Sequence, residues 1–172
     1  MLREKRIDLF RKEMDFIPEE KVQRLIQMGY FDASSSAKHH GAYAGGNFSH
    51  SFCVANILQD YTKGLGLKWE RPESPRIVGY LHDLAKVDDY IWTDHGYDYN
   101  NKKLLNGHGD KSAILALGIL ELTDEEIFCI RYHMGAFTDK AEWQFYSNIV
   151  RKYPNVLYTH TADMLASQVL GV

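Results

Sequence analysis

Two neighbouring residues, His82 and Asp83, carry the side chains best suited to chemistry in this sequence. An imidazole and a carboxylate are both good ligands for divalent transition metals. The pair follows the largely apolar run 76–81, and Lys86 lies one helical turn further on. The pair therefore predicts a metal site with a phosphate-attracting ammonium group beside it. A His-Asp pair alone arises often by chance, so this hypothesis needs further ligands.

Three more histidines and one carboxylate are candidates for those ligands. His50 and His133 lie on apolar faces of predicted helices, so both should point inward. Taken singly, a buried histidine is more often a hydrogen-bonded core residue, His108 could be a loop residue and Asp163 a surface acid. Burying all of these groups together is costly unless a metal coordinates them, and facing helices commonly build such centres. The predicted ligands are His50, His82, Asp83, His108, His133 and Asp163.

The elements that must position these residues are predicted to be helices. Proline in a first turn, glycine after a last turn and a capping box at Thr123 mark their ends. Ser74 is predicted to cap the helix that carries His82 and Asp83. Gly64 and Gly66 should stop the helix before it. The helices are predicted over about 2–14, 18–29, 47–63, 74–86, 110–120, 124–134, 140–152 and 156–169.

The remaining segments are predicted to be loops. Residues 31–46 are small, polar and glycine-rich, and 87–107 are irregular, with room for a short hairpin around Tyr97 to Leu105. Aromatic residues in this second loop could stack on a base, although such residues more often pack a loop down. With no other strand signal, we predict an all-α fold in a single domain, 1–172.

Composition limits the classes of function. The 172 residues carry a net charge of −3, which gives no overall nucleic-acid footprint. No apolar stretch approaches the length of a membrane span, and no hydrophobic signal core follows the N-terminus. Cys53 and Cys129 lie in apolar helical patterns and are predicted to be reduced core residues. These features predict a cytoplasmic protein.

The order of His50, His82-Asp83 and Asp163 resembles the motif that defines the HD-domain metal-dependent phosphohydrolase superfamily. His108 and His133 match its two-metal subset. Residues 38–46, followed by 50–51, resemble the entry to HD domains of 3′–5′ exoribonucleases and of short standalone bacterial and phage hydrolases. Residues 79–86 are similar to the family's His-Asp-x-x-Lys core, and 107–109 with Ser112 to its third motif. The resemblance covers 33–163 and implies an HD-domain helical bundle with a metal centre in its core, preceded by N-terminal helices in 1–30.

The resemblance also implies roles for individual residues. One metal would be held by His50, His82, Asp83 and Asp163, and a second by Asp83, His108 and His133, with Asp83 as the bridge. One or two divalent ions of Mn, Fe, Co, Ni or Zn suit these ligands. Asp83 and Lys86 would be catalytic. The candidates for contact with substrate are His39, His40, Lys86 and Lys111.

The implied activity is metal-dependent hydrolysis of a phosphomonoester or phosphodiester in a small, nucleotide-like substrate, with no membrane partner. The sequence lacks a Gly-Tyr-Pro motif, so a cyclic-di-GMP phosphodiesterase is not expected. It shows no nucleic-acid-binding domain before the matched region, so nucleic acid is expected only as a short oligonucleotide. Two alternatives stay open: a diiron oxygenase on the same fold, and a catalytically silent nucleotide-binding module. The complete ligand set disfavours the silent module.

Overall fold

The computed structural model describes residues 1–39 and 41–172 and is mostly helical, which confirms the predicted class in its coarse form. A 3₁₀ turn at Leu84–Val87 leads into a two-stranded antiparallel hairpin, with β1 at Tyr90–Thr93 and β2 at Gly96–Tyr99. The last helix continues into a π-helical turn at Leu165–Leu170. The helices are α1 (Arg3–Glu13), α2 (Glu19–Gln27), α3 (Gly46–Leu65), α4 (Ser74–Leu81), α5 (His108–Leu117), α6 (Asp124–Arg131), α7 (Trp143–Lys152) and α8 (Asn155–Met164).

The helix ends follow the predicted signals in part. The capping box is present in full, since Thr123 accepts a hydrogen bond from the Glu126 backbone and the Glu126 side chain accepts one from the Thr123 backbone. The prediction of Ser74 as an N-cap is wrong: Ser74 begins α4, and its hydroxyl donates to Glu126 Oε1 at 2.7 Å. Helix α3 runs through Gly64 and ends at Leu65, and Gly66 follows it with a positive φ that suits a glycine.

The hairpin lies earlier in the chain than the sequence suggested. Its strands pair Tyr90 with Tyr99 and Thr93 with Gly96, so only β2 overlaps the predicted stretch. The turn is closed by a hydrogen bond from Thr93 Oγ1 to the carbonyl of Gly96 at 2.8 Å. Cross-strand pairs of aromatic rings, Tyr90 with Tyr99 and Trp92 with Tyr97, favour this register.

An aromatic cluster joins the N-terminal helices to the centre of the protein. Phe10 of α1 contacts Tyr30, Phe31 and Tyr80 edge-on, and Phe48 of α3 packs against the same group. Tyr30 also donates a hydrogen bond to the carbonyl of Tyr80 at 2.6 Å. Each of these rings is almost fully buried. Burial of an aromatic side chain contributes roughly 1.5–3 kcal/mol, so this cluster fixes α1 against α3 and α4.

Helices α3 and α4 form the middle of the molecule because they contribute to two apolar clusters. Phe48 and Tyr80 face the aromatic cluster, whereas Val54 and Val78 face a second cluster built with α6 and α8. Cys129 is buried in that second cluster, and Cys53 lies at its edge. Both cysteines are free thiols. Among the helices of the described ranges, none has both the length and the apolar character that a bilayer crossing requires.

Two glycines allow the helices that carry the candidate ligands to approach closely. A Cβ at Gly79 in α4 would overlap the backbone of Ala55 in α3. A Cβ at Gly109 in α5 would overlap the carbonyl oxygen of Arg131 at the end of α6. These contacts bring α3 against α4 and α5 against α6. The candidate ligands on or next to each pair of helices can therefore come close to one another.

Candidate metal centre

The six predicted ligands lie together in the interior. Five of them form two overlapping groups whose ligand atoms lie within 4.8 Å of one another. The sixth, Asp163, places Oδ1 3.1 Å from His50 Nε2. His50, His82, Asp83 and His133 are at most 2% exposed. The ligands come from α3 (His50), the turn after α4 (His82 and Asp83), the start of α5 (His108), the turn after α6 (His133) and α8 (Asp163).

Asp83 is shared by both groups. Its Oδ1 lies 2.6 Å from His108 Nε2 and 3.5 Å from His133 Nε2. Its Oδ2 lies 3.5 Å from His50 Nε2 and 3.6 Å from His82 Nε2. One carboxylate therefore presents one oxygen to each pair of histidines.

The end of α4 and two hydrogen bonds from distant parts of the chain hold the turn at Asp83 in place. Helix α4 ends at Leu81, and the chain turns into the 3₁₀ segment immediately after Asp83. Asn47 Nδ2 donates to the Asp83 carbonyl at 3.2 Å. The Ala85 backbone N–H donates to Ser112 Oγ at 3.0 Å. Ser112, which the sequence resemblance singled out, thus fixes the backbone beside the site.

Three of the four imidazoles are oriented by backbone carbonyls. A carbonyl oxygen only accepts, so the Nδ1 facing it carries a proton, and Nε2 is the ring nitrogen left to face the site. Such a partner fixes the tautomer and the ring direction that a metal ligand needs. The contacts join His50 Nδ1 to Val172 at 2.9 Å, His82 Nδ1 to Gly79 at 2.9 Å, and His133 Nδ1 to Ile130 at 2.6 Å.

The fourth imidazole has a charged partner. Asp89 Oδ2 lies 3.5 Å from His108 Nδ1, while Asp89 Oδ1 accepts hydrogen bonds from Lys103 Nζ at 2.8 Å and Lys111 Nζ at 2.9 Å. Lys111 also contacts the carboxylate of Asp88. His108 therefore lies between two carboxylates, Asp83 on Nε2 and Asp89 on Nδ1.

The titratable groups of the site respond to burial and to one another. Burial lowers the pKa of His82 to about 4, so this ring is neutral at pH 7. Burial would also lower the pKa of His108, but Asp83 and Asp89 outweigh it and raise that pKa to about 9. For Asp83, burial acts to raise the pKa, and Lys86 with the neighbouring histidines holds it well below its usual range. Burial also acts to raise the pKa of Asp163, but His50 and His82 outweigh it and lower that pKa to about 2.

These residues fit a divalent metal ion. Within the described part of the chain, the buried Nε2 of His133 has no hydrogen-bond partner, although Nδ1 of the same ring is hydrogen-bonded. A lone pair left unpaired in the interior is costly unless something binds it. Imidazole nitrogens around a shared carboxylate are typical transition-metal ligands. The buried group His50, His82, Asp83, His108 and His133 can hold a metal ion.

Lys86 lies at the mouth of the site. Its Nζ is 2.9 Å from Asp83 Oδ2 and 3.4 Å from Ser35 Oγ. Burial acts to lower its pKa, but Asp83 outweighs burial and raises it, so the ammonium is charged. A cavity of about 270 Å³ opens beside it. The residues around that cavity are Asp83, Lys86, Met134, Phe137, His160, Asp163, Met164, Ser167 and Gln168.

The structure separates the remaining candidates for substrate contact. His39 is exposed and borders a neighbouring cavity with Ser167, Gln168 and Gly171. Lys111 is buried, and its ammonium is paired with Asp88 and Asp89 rather than directed into a cavity. His40 lies outside the described residues. Of the four candidates, Lys86 alone among those described both contacts Asp83 and lines the cavity next to it.

Three contacts around the candidate site were not apparent from the sequence. Asp89 stands in a run of polar residues that indicated only a loop. Val172 acts through its backbone carbonyl, which no side-chain pattern signals. His160 Nδ1 donates a hydrogen bond to the carbonyl of His133 at 2.8 Å, and this partner lies 27 residues away in the chain. Gly135 has no room for a Cβ because the His160 ring packs against it.

Comparison with known proteins assigns neither a family nor a function to this chain. Family models, curated proteins and solved structures were compared with the chain, and none of the three comparisons finds a match.

Proposed function

We propose that this chain is an HD-domain metal-dependent phosphohydrolase. It would cleave a phosphomonoester or a phosphodiester of a small nucleotide-like substrate, with nucleic acid accepted only as a short oligonucleotide. A cytoplasmic location belongs to the same proposal. The observation that carries it is the arrangement of Asp83, which presents one oxygen to each of two histidine pairs beside the cavity that Lys86 lines.

The ligands suit borderline transition metals such as Mn, Fe, Co, Ni or Zn, since most of them are imidazoles. When bound, such ions would supply an acidified water and neutralise charge on the phosphoryl group. His50, His82 and Asp163 would hold one ion together with Asp83, and His108 and His133 would hold the other. The backbone carbonyls behind three of the rings keep their Nε2 atoms directed at the site.

Lys86 has a separate role in this proposal. Its ammonium group is charged and lies where the cavity meets Asp83. A phosphoryl group entering the cavity would meet this positive charge, which stabilises oxygens that gain negative charge during transfer. His160 and Phe137 form part of the wall behind the phosphoryl position and would contact the rest of the substrate.

The test begins with purified protein that is stripped by a chelator and reloaded separately with each of the five metals. We expect more than one ion per chain by elemental analysis, and hydrolysis of at least one phosphoester in a screen of mononucleotides, dinucleotides and short oligonucleotides. Fewer than one ion per chain after reloading would contradict the metal mechanism. Iron loading with oxygen consumption and no hydrolysis would favour the diiron oxygenase. Nucleotide binding without turnover would favour the silent module.

A further inference from the structure

We infer that Asp89 is a positioning residue for the metal group formed by Asp83, His108 and His133, and that it sets how tightly this group holds its ion. The inference rests on the proposed metal site and concerns residues outside the ligand set. Lys103 and Lys111, in turn, fix Asp89. This is a different role for Lys111 from the substrate contact that the sequence suggested.

His108 needs external support more than the other three histidines. Its side chain is 26% exposed, whereas those of His50, His82 and His133 are at most 1% exposed. It is the first residue of α5 and follows Gly107, whose φ is +81°. Packing therefore holds this ring less firmly than the buried rings, and a hydrogen-bonding partner on Nδ1 must do more to orient it.

Asp89 differs in kind from the partners of His82 and His133. Those two histidines face neutral backbone carbonyls, whereas His108 faces a side-chain carboxylate at 3.5 Å. A carboxylate partner makes an imidazole a stronger ligand than a carbonyl does, because it stabilises the positive charge that the ring gains on binding a cation. We therefore expect the metal affinity of the group that contains His108 to depend on Asp89, which binds no metal itself. The affinity of the other group should not depend on Asp89.

Asp89 is itself held rigidly. It is 7% exposed, and its other oxygen accepts hydrogen bonds from Lys103 and Lys111. Lys111 lies in α5, the same helix that His108 begins, so ligand and clamp move together. The Asp89 carbonyl also accepts a hydrogen bond from the Asn100 backbone at 2.9 Å, which joins it to the exit of the hairpin. A buried carboxylate with two ammonium partners keeps its position and its charge.

The experiment compares Asp89→Asn with Asp88→Asn by metal-competition titration and elemental analysis. Asp88 is the matched control, because it contacts the same Lys111 but makes no contact with His108 that the structure records. We expect Asp89→Asn to bind one ion per chain with the wild-type affinity and the second ion about 10–100-fold more weakly. Asp88→Asn should bind both ions as the wild type does.

Two further variants keep the test decisive if Asp89→Asn does not fold. Asp89→Glu retains the carboxylate and should keep most of the wild-type affinity for the second ion. Lys103→Gln removes one clamp and should weaken the second ion alone. Equal weakening of both ions, wild-type affinity in Asp89→Asn, or a wild-type protein that never takes a second ion would overturn the inference. A different outcome is that the variants lose only the second ion while the wild type hydrolyses no phosphoester. In that case the inference stands and the proposed function is refuted.

Discussion

The carboxylate of Asp83 accepts a hydrogen bond from Nε2 of His108 at 2.6 Å, so this imidazole carries a proton on the nitrogen that would bind a metal. Asp89 on the opposite side of the ring favours the same protonated form. Together the two carboxylates raise the pKa of His108 to about 9, against the effect of burial. His82, by contrast, is neutral at pH 7 because burial lowers its pKa to about 4.

The stability of the metal-free protein should fall as the pH rises from about 6.5, the ordinary histidine pKa, to about 9. In this window folded His108 keeps a proton that the unfolded chain has lost. The contribution of His108 to the free energy of unfolding is therefore fully present below the window and is lost as the pH rises through it. The slope from one group is at most about 1.4 kcal/mol per pH unit. Denaturant unfolding in the presence of a chelator measures it. A His108→Gln protein with the same slope would show that another group is responsible.

Metal binding should release a proton from the same histidine. A metal ligand must be deprotonated, and His108 is protonated at neutral pH. Titration calorimetry at pH 7.5 in buffers of different ionisation enthalpy should therefore show about one proton released with the ion that His108 binds. The ion held by His50, His82 and Asp163 should release less. Equal proton release for both ions would contradict the assignment of His108.

Replacing Asp83 by Asn should remove both metal groups at once. The amide has nearly the same shape, so folding should survive, but it lacks the second anionic oxygen that faces the other histidine pair. Loss of a residue that only supports a ligand costs about 10–100-fold in metal affinity. Both affinities should fall by more than this, because Asp83 is itself a ligand in each group. Elemental analysis after desalting measures the ions retained. Retention of two ions would show that Asp83 is not the shared ligand.

Replacing Lys86 by Met should separate metal binding from hydrolysis. The ammonium group 2.9 Å from Asp83 Oδ2 would be lost while all six candidate ligands remain, so both ions should bind at least as tightly as in the wild type. Hydrolysis should fall about 10²–10³-fold, the cost of removing one group that stabilises developing charge. Steady-state rates of the metal-loaded protein provide the measurement. An unchanged rate would show that Lys86 serves only to neutralise Asp83.

Replacing Gly79 by Ala should damage the site through the backbone. The added methyl group overlaps Ala55, so α3 and α4 must separate, which costs roughly 1–3 kcal/mol of unfolding free energy. Metal affinity should fall with it, because His50 lies on α3 and His82 directly follows α4. Gly64→Ala is the control: the new Cβ at this α3 position meets no atom within 4 Å, and stability should rise by roughly 0.5–1 kcal/mol. Equal effects of the two substitutions would rule out the packing explanation.

Local signals in the sequence were sufficient for most helices. The capping box at Thr123 needs only residues 123–126, and the inward faces of His50 and His133 follow from periodicity within single helices. The full set of six candidate ligands depended on their order along the chain, which resembles a known motif. Ser74 shows why other predictions were wrong: its hydroxyl bonds to Glu126, 52 residues away, and such partners have no local signature. The pairing of Lys111 with Asp88 and Asp89 likewise has no local signature, since it exists only after the loop has folded against α5.

The absence of a side chain at Gly79 and at Gly109 has a bearing on protein engineering. The separation of the histidines depends on how closely two pairs of backbones approach, and each approach requires a position without a Cβ. A designer who copied the four imidazoles and Asp83 onto another helical scaffold would reproduce the ligand types but not their spacing. The transferable unit is the pair of glycine-matched helix crossings, with the ligands grafted afterwards.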